Sequence, residues 1–170
     1  MNKKNKIIIL TGPCGVGKTS IANIVCKKIE VELIDGDKIK ENLFPDIDYI
    51  TEFPEKLKIV KETILELSKE HFSNNKSVLI DYVIIGRDYI SQFQNLFKEN
   101  LIFKVILPKR IVIYQRDQNR ECWTSGRQII DELYDKYINL IDVVGQDNYL
   151  DNEGETAEET ALKILQNIIT

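Results

Sequence analysis

Residues Gly12-Pro13-Cys14-Gly15-Val16-Gly17-Lys18-Thr19 match the pattern G-x-x-x-x-G-K-[ST] at every fixed position. A β-branched run from Lys6 to Leu10 precedes the pattern, and Ile21, Ile24, Val25 and Ile29 follow it at helical spacing. That context dictates a strand, a glycine turn and a helix whose N-terminus faces the turn. The residue types each have a physical reason. Glycines let the backbone turn its amide N–H groups toward phosphate oxygens. The helix adds the positive end of its dipole. Lys18 supplies a point charge for the β- and γ-phosphates. The Thr19 hydroxyl suits Mg²⁺, which takes phosphate and water as its other ligands. The loop therefore predicts binding of a nucleoside triphosphate with Mg²⁺. Cys14 reads as a small spacer within it, or alternatively as a thiolate stabilised by the helix N-terminus.

The rest of the chain alternates short apolar runs with amphipathic segments. Strands are expected at 6–10, 31–34, 77–80, 101–107 and 148–150. Helices are expected at 18–29, 55–72, 87–97, 109–120 and 127–141. Thr156 with Glu159 three residues on forms a capping box that starts a last helix. Such alternation predicts an α/β fold with a parallel sheet covered on both faces. No repeat or linker divides residues 1–170, so one domain is expected. The stretch 42–53 carries no clear period. A net charge of −4 argues against nucleic acid as the main partner. The longest strongly apolar run, Ile7 to Leu10, is too short to span a bilayer. Lys3, Lys4 and Lys6 lack the apolar stretch of an export signal. Cys14, Cys26 and Cys122 have no metal-ligand spacing, and their odd count reads as reduced thiols in a cytoplasm.

In parallel α/β sheets, ligands gather at the carboxyl ends of strands. Asp35 and Asp37 follow the second expected strand, and Asp81 ends the third. Asp81 closes an apolar run, as expected of a residue that holds Mg²⁺ or its water. Phosphoryl transfer to an alcohol needs an acceptor for the hydroxyl proton. Asp37 is the candidate base and Asp35 a metal or substrate contact, roles that the sequence leaves exchangeable.

Arg110, Arg116, Arg120 and Arg127 span a break between two helical segments. Alone, they would read as a solvated face paired with Asp117 and Glu121. Beside a phosphate loop they read as a lid, about 116–127, that neutralises charge on the transferred group and excludes water. Gly126 is its candidate hinge. Trp123 reads equally as a cover for a base or substrate and as a packing residue. His71 reads as an end-of-helix residue.

In order, the phosphate loop, Ile34-Asp35-Gly36-Asp37, Val78-Leu79-Ile80-Asp81, the arginine lid and Asn148-Tyr149-Leu150-Asp151 resemble the P-loop small-molecule kinases. That group holds adenylylsulfate kinase, gluconate and shikimate kinases, and chloramphenicol phosphotransferase. The resemblance implies a five-stranded sheet in order 2-3-1-4-5 with a helical lid. It implies an ATP- and Mg²⁺-dependent kinase acting on a small-molecule acceptor: a nucleotide, metabolite or drug. Lys18, Asp37, Arg116 and Arg120 would be catalytic. The whole loop with Ser20, Arg116 and Asn152 would hold the nucleotide. Asp35, Asp37, Asp81, Arg87 and Arg127 would meet the acceptor, and Thr19 and Asp81 the metal. The glycine triplet of shikimate kinases and the Asn/Thr-Lys-x-Asp motif of GTPases are absent. Two other expectations compete: a polynucleotide 5′-hydroxyl kinase, and a nucleotide-binding regulator without an acceptor. The acceptor and the oligomeric state are not legible.

Overall fold

The computed structural model describes residues 5–47, 52–119 and 124–169. Five strands form one parallel sheet: β1 (Ile7–Thr11), β2 (Glu32–Asp35), β3 (Val78–Asp81), β4 (Leu101–Ile106) and β5 (Tyr149–Leu150). Their order is β2-β3-β1-β4-β5, as the resemblance implied. Among the described residues eight α-helices surround it: α1 (Lys18–Lys28), α2 (Gly36–Leu43), α3 (Pro54–Ser73), α4 (Arg87–Phe97), α5 (Arg110–Gln118), α6 (Arg127–Ile138), α7 (Ile141–Val144) and α8 (Ala157–Ile169).

β1 lies at the centre and is buried on both faces, in keeping with its apolar run from Ile7 to Leu10. Alternation sends Ile7 and Ile9 into one core with Ile64 of α3, and Ile90 and Phe93 of α4. It sends Ile8 and Leu10 into the other, with Ile21 and Val25 of α1 and Ile164 of α8. Each such side chain contributes roughly 1.5–3 kcal/mol of burial free energy. The register places Leu10 beside Asp81 and Asp81 beside Asp35. Two carboxylates thus stand level with the end of β1, where the glycine turn begins.

Two helical features differ from expectation. Asp35-Gly36-Asp37, expected only to follow the second strand, opens a helix, α2, because the Asp35 carboxylate caps it by accepting the N–H groups of Asp37 and Lys38, both at 3.1 Å. Asn42 and Leu43 belong to this helix, while 48–51 lie outside the described residues. The single helix expected over 127–141 is two. Asn139 ends α6, and its carbonyl accepts a hydrogen bond from Arg87 instead of continuing the helical ladder. No described helix is long and apolar enough to cross a membrane.

Candidate active site

The glycine turn is anchored from three sides. Gly12 has φ +146°, and a Cβ there would meet the carbonyl oxygen of Ile106 on β4 at 2.4 Å, so no other residue fits. Its N–H turns inward to the Tyr137 hydroxyl at 3.1 Å. That hydroxyl lies 2.5 Å from the Thr11 hydroxyl, which also accepts the Ile84 N–H at 2.8 Å. Tyr137 comes from α6 and is fully buried, and burial drives its phenol pKa upward. One polar node therefore ties the end of β1 to α6 and to the segment after β3. The sequence reading missed it, because a tyrosine at helical spacing carries no mark of such a role.

Val16 occupies a free position of the motif, yet it is fully buried and its carbonyl is a second anchor. Asn152 donates to that carbonyl at 3.1 Å, and Arg116 approaches it at 3.4 Å. Arg116 also donates to the Asn152 side-chain and main-chain oxygens, at 2.9 and 2.8 Å. Asn152 is 3% exposed. The two residues singled out for the nucleotide are thus joined to each other and to the loop. The third anchor is α5, whose Ile113 and Asp117 lie against Gly15.

At the open side, Lys18 arches over the turn and donates to the Gly12 and Pro13 carbonyls at 3.0 and 2.9 Å. Thr19 and Ser20 are exposed in the first turn of α1. Asp81 lies beside the Thr19 side chain and is 5% exposed. Burial raises its carboxyl pKa; the Lys18 charge and the Thr19 side chain pull it back, while Asp35 and Asp37 add repulsion. Three acids, one ammonium and one hydroxyl therefore share one electrostatic neighbourhood. Among the described residues no group of His, Cys, Asp or Glu forms a closed metal cage. An open site of hydroxyl and carboxylate fits Mg²⁺, which keeps waters and borrows phosphate oxygens.

α2 separates the two aspartates by task. Asp35 is turned into the helix cap, and Asp37 sits exposed in the first turn. Gly36 between them lies flat on Tyr82, where a Cβ would meet the ring at 2.3 Å. Tyr82 is buried, and burial with the Asp37 and Cys14 charges pushes its phenol up to about 12. Neither Tyr82 nor the glycine contact was foreseen.

Arg87, Lys109 and Arg110 are tied to acids of the scaffold. Arg87 forms a two-pronged pair with Asp142, both contacts at 2.8 Å. Lys109 pairs with Glu153 at 2.8 Å. Arg110 pairs with Asp131 and Asp135 between α5 and α6. Arg127 lies over the Tyr114 ring, 5.1 Å from its centre. Asp117, which in the solvated-face alternative would pair with an arginine at the surface, is 2% exposed and accepts the N–H groups of Ser125 and Gly126 at 3.0 and 3.1 Å. It fixes the expected hinge at the start of α6. Arg120, Glu121, Cys122 and Trp123 lie outside the described residues. Cys14 and Cys26 are free thiols.

A family model described as an AAA domain matches residues 7–126, more than half of the chain. The chain is 43% identical over 51 residues to a probable adenylyl-sulfate kinase of Archaeoglobus fulgidus, covering 27% of this chain and 33% of that protein. It is 32% identical over 89 residues to a tRNA dimethylallyltransferase of Lactobacillus johnsonii, covering 51% of this chain and 25% of that protein. The chain thus matches about a third or less of the length of these curated relatives. Among solved structures, shikimate kinase from Acinetobacter baumannii in complex with shikimate superposes with a TM-score of 0.67, at 20% identity, over 98% of this chain and 94% of that one. The sheet order and helices match those of P-loop kinases, and the family match from β1 to the start of α6 makes the chain a member of the AAA-domain family.

Proposed function

We propose that the protein is an ATP-dependent kinase that phosphorylates a hydroxyl or phosphate on a small molecule. The observation that carries this reading is the meeting of Lys18, Thr19, Asp81 and Asp37 at one mouth of the sheet. A protein that only bound nucleotide would need the loop but no exposed carboxylate beside it. Thr19 and Asp81 would hold Mg²⁺, which when bound neutralises phosphate charge. Lys18 would leave the loop carbonyls for the β- and γ-phosphates. Asp37 would accept the proton of the acceptor hydroxyl as its oxygen forms a bond to the γ-phosphorus and ADP departs with the bridging oxygen. Arg116 and Asn152 would border the nucleotide, and Arg120 and Arg127 would close over the transferred group. Asp35 would act through α2 by aiming Asp37. Arg87 would reach the acceptor only on release from Asp142, which occupies both of its prongs.

The test is transfer of the labelled γ-phosphate of ATP to a panel of nucleosides, sugars, aminoglycosides and phenicol drugs. Lys18→Ala should abolish nucleotide binding, and Asp37→Asn should cut transfer by about 10²-fold or more while nucleotide still binds. Full transfer by Asp37→Asn would remove the proposed base. A 5′-hydroxyl oligonucleotide belongs in the panel, since polynucleotide is the competing acceptor. The pairing of Arg87, Lys109 and Arg110 with scaffold acids weighs against a basic channel for it.

A further inference from the structure

β5 pairs with Val105 and Ile106, so among the described residues the outer edge of β4 from Leu101 to Lys104 has no strand beside it. A cavity of about 400 Å³ opens along that edge, bordered by Gln94 of α4, Val144 of α7 and Asn167 of α8. Its lining includes Lys98, Lys104 and Asn148, and no carboxylate among the described residues. Lys104 is 5% exposed. Its ammonium carries three donors, and the hydrogen bond found for it goes to the Asn148 side-chain oxygen at 3.3 Å. Burial lowers the pKa of this amine, and Asp147 partly restores it. A buried ammonium whose hydrogen bond goes to a neutral amide, with Asp147 acting on it only from outside the cavity lining, is expensive, and an apolar residue would fill the same place at less cost. A lysine can also serve simply to guard an open strand edge. That role asks for charge on the rim, which Lys98 already supplies, and does not ask for a second charge inside.

We infer that this cavity is an anion-binding site that takes a small dianion, a phosphate- or dicarboxylate-bearing metabolite, on the ammonium groups of Lys104 and Lys98. It is separate from the phosphate loop. Lys104 stands level with Leu10 on the opposite side of β1 from Asp81. The inference does not depend on the kinase reading, and a regulatory ligand for any activity of the mouth could use it.

The experiment is a ¹⁵N NMR titration of the whole protein with inorganic phosphate and, separately, malonate, read at the side-chain amides of Gln94, Asn148 and Asn167. Saturable shifts of these signals with either probe are expected, and the probe that binds tighter names the source. They should persist in Lys18→Ala, which isolates them from the phosphate loop. They should vanish in Lys104→Met. Exposed Lys98→Glu, which keeps the fold, should weaken binding by about tenfold. Without ligand, Lys104→Met should melt at a higher temperature than the parent. No saturable shift with either probe, shifts that survive Lys104→Met, or unchanged affinity in Lys98→Glu would each overturn the assignment.

Discussion

Asp81 is 5% exposed at the end of an apolar strand, and its burial makes ionisation costly. The folded-state pKa is raised above that of the unfolded chain. Its contribution to stability is therefore full below the unfolded carboxyl pKa of about 3.9 and is lost as pH rises through the folded value. Near neutral pH the residue opposes folding, and a retained cost of this kind marks a functional group. Asp81→Asn should raise the melting temperature of the ligand-free protein at pH 7, with less gain at pH 4, and should lower Mg²⁺-supported transfer by about 10²-fold. Thermal melts of parent and variant at both pH values provide the check. Gly36 poses a steric question at the same scale. A methyl group there must displace the Tyr82 ring, so Gly36→Ala should cost roughly 1–3 kcal/mol in urea unfolding. It should also cut phosphate transfer more than nucleotide affinity, because the loop stays intact while Asp37 moves. Equal losses in both measurements would contradict the role of Gly36 in setting the angle of α2.

The elements differ in how far their residues announced them. The phosphate loop and α1 were legible because each motif residue performs a local task, and local tasks leave local spacing. The capping box was legible for the same reason: Glu159 accepts the Thr156 N–H at 2.8 Å, and the Thr156 hydroxyl accepts the Glu159 N–H at 3.2 Å. Thr156→Ala should therefore cost about 1 kcal/mol of stability, seen as a lower urea midpoint, with nucleotide affinity unchanged. α2 was missed although Asp35 is a proper N-cap, because the same Asp-Gly-Asp also spells a turn. The cap chooses the helix, and its close seat on Tyr82 depends on Gly36, a contact forty-six positions away. Tyr137 is hidden for a like reason, since its partners are Thr11 and Gly12 at the other end of the chain. Tyr137→Phe keeps the ring and leaves the Gly12 N–H without its acceptor. A loss of roughly 1–3 kcal/mol is expected, together with weaker nucleotide binding in calorimetry, since the freed amide belongs to the phosphate loop.

Across the molecule, phenols recur at the packed joints: Tyr137 and Tyr149 tie α6 to β1 and β5, and the Tyr89 hydroxyl ties α4 to the Lys61 carbonyl of α3. Tyr82, Tyr89 and Tyr137 are buried, and Tyr149 is half-buried and donates to the Tyr137 carbonyl at 2.6 Å. Burial raises the pKa of all four, with Tyr82 and Tyr149 pushed up to about 12. An unfolded tyrosine ionises near pH 10. The four therefore leave stability intact below about pH 10, and they drain it as pH rises toward the folded values, because the unfolded chain releases protons that the folded one keeps. Each group contributes a slope of up to about 1.4 kcal/mol per pH unit in that window. The urea midpoint should accordingly fall steeply between pH 10 and 12, and phenolate absorbance should rise together with loss of helical signal. In Tyr137→Phe the fall should be shallower. Phenolate appearing fully before any helix is lost would mean that these rings are open to water, and the node joining α6 to the phosphate loop would lose its physical basis.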